Sequence, residues 1–246
     1  MEGFKPLANA KFGVKELMQR HKGATGAIVG TGTSLTDFDV EMVKKRDVEV
    51  TIGVNEAVKL FTPNFLVLRD EGAVPKMYKN IHPSTTVVMA CRTMRWIVTA
   101  ETEEQDLIIE KFSGLENLYY ADFESEVDDP QTTLFYRLGI ATAAFSLAHC
   151  LEISRCYLYG FDFYALEKTH YAAGVNIPPH DDKWEIPGKA GFFTTEPLNI
   201  MCQSIEDHRH MWGGVEFINM SRHSQLRCFP VDPVESLPKE KLSHGG

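Results

Sequence analysis

The segment Gly26-Ala-Ile-Val-Gly-Thr-Gly-Thr-Ser-Leu35 runs an apolar strand into a Gly/Thr/Ser turn and then into a helical pattern. Such a turn presents backbone N–H groups and hydroxyls at the positive end of a helix, chemistry suited to a phosphate or another anion. Gly30 and Gly32 permit close backbone approach, Thr33 and Ser34 add hydroxyls, and Thr36 with Asp39 resembles a capping box. The turn lacks the Lys-Ser/Thr of a P-loop and the third glycine of the dinucleotide fingerprint. It therefore reads either as a nucleotide pocket of another type or as a plain strand-to-helix connection.

Two histidines have the near-neutral acidity that general-base chemistry needs, His170 and His180. His180 stands in Pro-Pro-His-Asp-Asp, where the adjacent acid can orient it or raise its pKa. Each histidine is equally readable as a surface loop residue. Asp162, after the strand-end Gly160, suits a catalytic role or the holding of a loop through backbone N–H groups. Asp70, ending Phe65-Leu-Val-Leu-Arg-Asp70, suits a metal or substrate ligand or a strand-end cap. Asp181 and Asp182 diverge on any regular element and read as a solvated pair. His208 and His210 lie two apart on a predicted helix, so they share no face. No metal-ligand set is expected, and Trp96, Trp184 and Trp212 read as core or lid residues.

The elements that must position these groups alternate along the chain. Strands are predicted near 26–30, 48–53, 64–68, 85–90, 117–120 and 156–160, with helices near 37–45, 55–60, 103–113 and 138–151. This alternation implies a single Rossmann-like, doubly wound, mostly parallel α/β sheet. Ligands of such sheets bind beyond the carboxyl ends of the strands. Gly30 to Ser34, Gly53-Val-Asn55, Asp70-Glu71 and Gly160-Phe-Asp162 all fall at predicted ends of that kind. Residues 164–195, rich in His, Pro, Asp, Gly and aromatics without periodicity, read as an irregular lid region. A helix is predicted at 197–211 and a strand at 215–220.

At 246 residues the chain suits one large domain, placed at 1–230, with 231–246 as a polar, Pro-rich tail. A net charge of −9 disfavours broad nucleic-acid binding, which rests on phosphate neutralisation by Lys and Arg. Cys91, Cys150, Cys156, Cys202 and Cys228 are odd in number and lack CxxC pairs, so they read as reduced, mostly core thiols. No apolar run approaches membrane-spanning length and the start lacks a signal-peptide plan. A cytoplasmic location is the expectation.

Three segments in order carry a resemblance. Gly30-Thr-Gly-Thr-Ser-Leu35, Gly53-Val-Asn55, and Gly160-Phe-Asp-Phe-Tyr164 with Thr169-His-Tyr171 resemble the bacterial lipooligosaccharide sialyltransferases. They also resemble the flagellin-modifying motility-accessory glycosyltransferases and the archaeal-type 6-hydroxymethylpterin diphosphokinases. The likeness spans roughly residues 25 to 230. It implies that Gly32, Thr33, Ser34 and Asn55 contact the phosphates and ribose of a nucleotide, with Gly30 in the same turn. Gly139, with Thr142 nearby, matches a further nucleotide contact before the long helix. Tyr164 and Tyr171 match two tyrosines that place their hydroxyls on the leaving phosphate. Where the sialyltransferases carry a histidine base before the last helix, this chain reads Gly191-Phe-Phe-Thr-Thr195. That departure counts against sialic acid transfer itself.

The resemblance implies a glycosyltransferase that uses a nucleotide sugar, CMP- or UDP-linked, and a saccharide or other hydroxyl-bearing acceptor. His170 is the expected acceptor base, His180 its reserve, and Mg²⁺ is compatible but not required. The site expected from the sequence is thus Asp162, Tyr164, His170, Tyr171 and His180 for catalysis. Gly30, Gly32, Thr33, Ser34, Asn55, Asp70 and Gly139 are expected to hold the nucleotide. One alternative is a Mg²⁺-dependent pyrophosphokinase of the pterin type, its metal held by acids such as Asp70 and Asp162. Others are a viral-type transferase acting on modified bases in DNA, with a basic face drawn from Lys44, Lys45, Arg46, Arg92 and Arg95, and a non-catalytic nucleotide-binding module. Homo-oligomers are compatible with each.

Overall fold

The computed structural model describes residues 4–32, 34–35, 41, 43–44, 47–124, 126–136, 139–163, 165–166, 184–185, 192–221 and 224–232. In chain order its strands are β1 (Ala10–Phe12), β2 (Thr25–Val29), β3 (Val50–Val54), β4 (Phe65–Leu68), β5 (Thr86–Ala90) and β6 (Leu118–Glu124). They continue with β7 (Thr133–Phe135), β8 (Arg155–Tyr159), β9 (Ala165–Leu166), β10 (Trp184–Glu185), β11 (Phe192–Thr194) and β12 (Glu216–Asn219). The helices are α1 (Val74–Met77), α2 (Cys91–Thr99), α3 (Gln105–Ser113), α4 (Ile140–Cys150) and α5 (Glu196–His208).

Nine strands form one sheet in the order β1-β6-β5-β4-β3-β2-β8-β12, with β7 on β6. Every pairing in it is parallel. β4 and β5 are buried at every position and β2 at all but its first, the run expected of strands covered on both faces. The protein is therefore an open, doubly wound α/β fold. From β2 the chain steps outward through β3, β4, β5 and β6, then returns along α4 to lay β8 on the other side of β2. The reversal makes the carboxyl ends of β2 and β8 the topological switch point.

Two main apolar cores flank the sheet. One packs α4 over β2, β3 and β4 and centres on Phe145, whose ring lies 5.5 Å from Phe161, 5.2 Å from Trp212 and 5.0 Å from Phe217. The other gathers Met77, Met94, Ile97 and Phe112 from α1, α2 and α3 against β4 and β5. Trp212 is thus core and Trp96 is half-buried against the second cluster.

Several elements differ from the sequence reading. β1, β7 and α2 were not expected: three-residue strands show no alternation, and α2 ends in the β-branched run Ile97-Val98-Thr99. Asn55–Lys59 is a 3₁₀ turn rather than an α-helix. Within 164–195, β10, β11 and β9 form a small antiparallel sheet. Residues 231 and 232, where the predicted tail starts, adjoin β12: Asn219 N donates to Pro230 O at 2.8 Å and Asp232 N to Asn219 O at 3.3 Å. Among the described residues, no helix is long and apolar enough to cross a membrane. The helix predicted at 37–45, with its Thr36–Asp39 capping box, lies largely outside the described residues.

Candidate functional site at the carboxyl edge of the sheet

At the switch point the loops after β2 and β8 are bonded directly to each other. Gly30 N donates to Tyr159 O at 2.8 Å and Gly32 N to Gly160 O at 2.9 Å. Ser34 N donates to Asp162 Oδ2 at 2.6 Å, and the Ser34 hydroxyl donates to Asp162 Oδ1. Asp162 is 1% exposed. Its own carbonyl accepts from Gln225 N at 2.8 Å, while Ser224 Oγ donates to Phe161 O at 2.6 Å. A Cβ on Gly32 would lie 2.5 Å from Gly160 O and 2.7 Å from Asp162 Oδ2, which is why a glycine stands there.

This geometry revises one expectation. The N–H groups of Gly30, Gly32 and Ser34, offered by the sequence reading to a phosphate, are spent on the β8 loop, and a carboxylate occupies the turn. The turn is a latch. A bound nucleotide must meet its phosphate donors elsewhere along the edge, because Asp162 repels a second anion at this point.

One strand over, Asn55 follows β3 with φ of 43°. Left-handed backbone is uncommon outside glycine and concentrates where function demands it. The Asn55 Oδ1 atom is buried and has no hydrogen-bond partner among the described residues. Buried acceptors in that state are rare enough to require an explanation. Phe163, after β8, is also left-handed at φ of 54° and is buried. Gly139, at the start of α4, meets the second helix behind it: a Cβ there would lie 2.5 Å from Met201 Sδ of α5. Its observed contact is therefore packing.

Farther along the edge stand Arg69 and Asp70 after β4, Arg92 in the first turn of α2, and Tyr136 after β7. The Arg69 guanidinium carbon lies 4.1 Å from the centre of the Tyr136 ring. Arg92 Nε donates to Glu71 Oε1 at 2.9 Å, a contact that raises the Arg92 pKa. Burial pushes the Tyr136 phenol upward, while Arg69 and Arg92 oppose that shift. Beside them burial pushes the Cys91 thiol up to about 12, helped by a hydrogen bond to Asp122. Asp70 Oδ1 accepts from Gly72 N at 3.0 Å and so caps the short helical turn that follows.

Asp70 and Asp162 do not come together. They end β4 and β8, three strand positions apart, or roughly 14 Å at the usual inter-strand spacing. One ion cannot bridge them. Among the described residues, no group of three or more His, Cys, Asp or Glu side chains is placed to hold a metal. His208 Nδ1 bonds Ser204 O at 2.8 Å, and its ring centre is 6.4 Å from that of His210. The largely apolar cavity of about 460 Å³ lined by Val29, Leu35, Val43, Val48, Leu60 and Phe61 gathers none of these polar groups.

The structure thus joins Gly30 to Tyr159, Gly32 to Gly160 and Ser34 to Asp162, sets Asn55 on the neighbouring strand end, and leaves Asp70 two strands from β2. Thr33, Tyr164, His170, Tyr171, His180, Asp181 and Asp182 lie outside the described residues. Sequence reading missed Arg69, Tyr136 and Gln225, and named Arg92 only for the basic face of the DNA-directed alternative. Arg69 carried a signal, a charged residue closing an all-apolar strand; Gln225, whose side-chain Nε2 is buried without a partner among the described residues, carried none. Together, fold and edge define a doubly wound α/β protein with polar residues along the carboxyl edge of its sheet. No family model matches the chain, and no curated protein matches it significantly.

Proposed function

We propose that the protein is a glycosyltransferase that moves a sugar from a nucleotide-activated donor to an acceptor hydroxyl. The observation that carries this reading is Asn55. It is a left-handed residue beside the switch point whose buried carboxamide oxygen lacks a donor among the described residues, and a ribose hydroxyl would supply one. The reading also rests on the resemblance of the segments around Gly32, Asn55 and Asp162 to the sialyltransferase-like group.

In this scheme the bond from the anomeric carbon to the phosphate oxygen breaks as the acceptor oxygen attacks. His170, or His180 in its place, takes the acceptor proton. The Tyr164 and Tyr171 hydroxyls donate to the departing phosphate. Asp162 touches no reacting atom; it is a positioning residue that holds the β2 turn against the β8 loop through Ser34.

The pyrophosphokinase alternative loses support because its two nominated acids are three strands apart. The DNA-directed alternative gains none: Lys44 pairs with Glu41 and Arg92 with Glu71, which neutralises two of the three described residues of its basic face. The test is thermal denaturation with CMP, UDP, GDP, ADP and ATP, each with and without Mg²⁺, since a ligand of the native state raises Tm. Stabilisation by CMP or UDP without metal is the expected result. Stabilisation by ATP only with Mg²⁺, or by no nucleotide, overturns the reading.

A further inference from the structure

Arg69 is a half-buried cation whose charge no carboxylate meets among the described residues. Its neighbour Asp70 is turned to Gly72 N, and Glu71 is committed to Arg92. Drawing a guanidinium out of water without a counter-charge is unfavourable, and stacking on Tyr136 at 4.1 Å offsets only part of that cost. The surroundings favour an anion further. Thr93 Oγ1 donates to Arg69 O at 2.6 Å, which fixes the N-terminus of α2 beside the β4 end. That nine-residue helix has no side-chain cap and no acidic residue in its first turn, and Arg92 sits within it. Its positive end therefore adds to the two guanidiniums. Asp122 bonds Cys91. All of this lies on the ligand edge of a chain whose net charge is −9, where an uncommitted Arg is least expected by composition.

We propose that Arg69, the Tyr136 hydroxyl and the Arg92-bearing first turn of α2 form a subsite for a carboxylate or phosphate carried by the substrate. Arg69 is two strand positions from β2, roughly 10 Å along the edge from the switch point. The anion is thus set apart from the Asp162–Ser34 latch and is a group of the substrate beyond the nucleoside that the proposed function sets beside Asn55. On the glycosyltransferase reading, on which this assignment rests, the transferred sugar or the acceptor is acidic. The binding of the anion itself does not depend on that reading.

Calorimetric titration of the full chain with glucuronate, inorganic phosphate and glucose tests the subsite. Glucuronate or phosphate should bind and glucose should not, with Arg69→Gln weakening the anion about tenfold, as loss of a charge-assisted pair implies. CMP or UDP affinity should stay unchanged in the same variant. Glucuronate binding marks a carboxylated saccharide, and phosphate binding alone marks a phosphorylated one. If Arg69→Gln does not fold, the exposed Arg92→Gln decides, with at least a threefold loss expected. Equal binding of glucose, no anion binding, or anion affinity unchanged in the folded variants overturns the subsite. Anion binding that Arg69→Gln weakens, with no nucleotide binding at all, would keep the subsite and remove the glycosyltransferase reading; nucleotide binding without anion binding would do the reverse.

Discussion

Two residues at the carboxyl edge make separable claims. Asp162 accepts from both the N–H and the hydroxyl of Ser34 across 128 positions of sequence, in a place that is 1% exposed. Asp162→Ala removes the acceptor of a part-buried N–H and of a hydroxyl and should cost about 2 kcal/mol. Ser34→Ala should cost about 1 kcal/mol, and the double variant less than the sum, because both changes break one contact. Urea unfolding measures all three; additive losses would mean that the latch contributes nothing. Asn55 separates backbone from side chain. Asn55→Ala keeps the left-handed backbone and should lose about 1 kcal/mol of stability, whereas Asn55→Gly, free at φ of 43°, should be at least as stable as the native chain. On the proposed function both should weaken CMP or UDP about tenfold by losing the carboxamide. Affinity unchanged in the Gly variant would remove Asn55 from the nucleotide site.

At the scale of elements, the loop after β2 and the loop after β8 stand or fall together. Gly32→Ala drives a Cβ to 2.5 Å from the Gly160 carbonyl, backbone that cannot swing aside, and should cost about 2–3 kcal/mol by urea unfolding. Gly72→Ala, whose Cβ meets nothing closer than 3.4 Å, is the control and should fall within about 0.5 kcal/mol of the native chain. Equal effects at the two glycines would show that the two loops are not in contact. The sequence made the strands of this assembly legible because β2, β4 and β5 are short, apolar runs separated by turn residues or helical patterns. It also made both halves of the latch legible, as a Gly-rich turn and as an acid after a strand-end glycine. Their union was not legible, since which strand lies beside β2 is decided by the return of α4, a tertiary event. β1 and β7 were missed for a related reason: three residues are enough to extend a sheet already built by others but too few to carry a period. Arg69 and Tyr136 meet only because β4 and β7 end at the same edge of the sheet, and no local spacing encodes that.

For the whole molecule, the five cysteines tie stability to pH. All are free thiols, four buried and Cys228 partly so. Burial pushes Cys91 and Cys202 up to about 12 and Cys150 and Cys228 up to about 11, and it raises Cys156 further. An unfolded thiol ionises near pH 8.5. Below that pH both states are protonated and the thiols add no pH dependence. Above it the unfolded chain releases protons that the folded chain keeps, so the unfolded state binds fewer protons and stability falls as pH rises. Each buried thiol loses about 1.4 kcal/mol per pH unit, and the four together about 5 kcal/mol. That slope is comparable to the whole stability of a typical domain. The urea midpoint should therefore begin to drop from about pH 8.5 to 9.5, where the thiols titrate first, with tyrosine and lysine joining as the pH nears 10. Cys156→Ala tests the cause: it leaves a cavity and lowers the midpoint at pH 7, yet it should flatten the alkaline slope by about a quarter. A slope unaltered by that variant would assign the alkaline loss to other groups. A thiol reagent at pH 8 gives the independent check, since slow labelling of the folded chain and rapid labelling of five groups in urea follow only if the thiols stay protonated inside the native sheet.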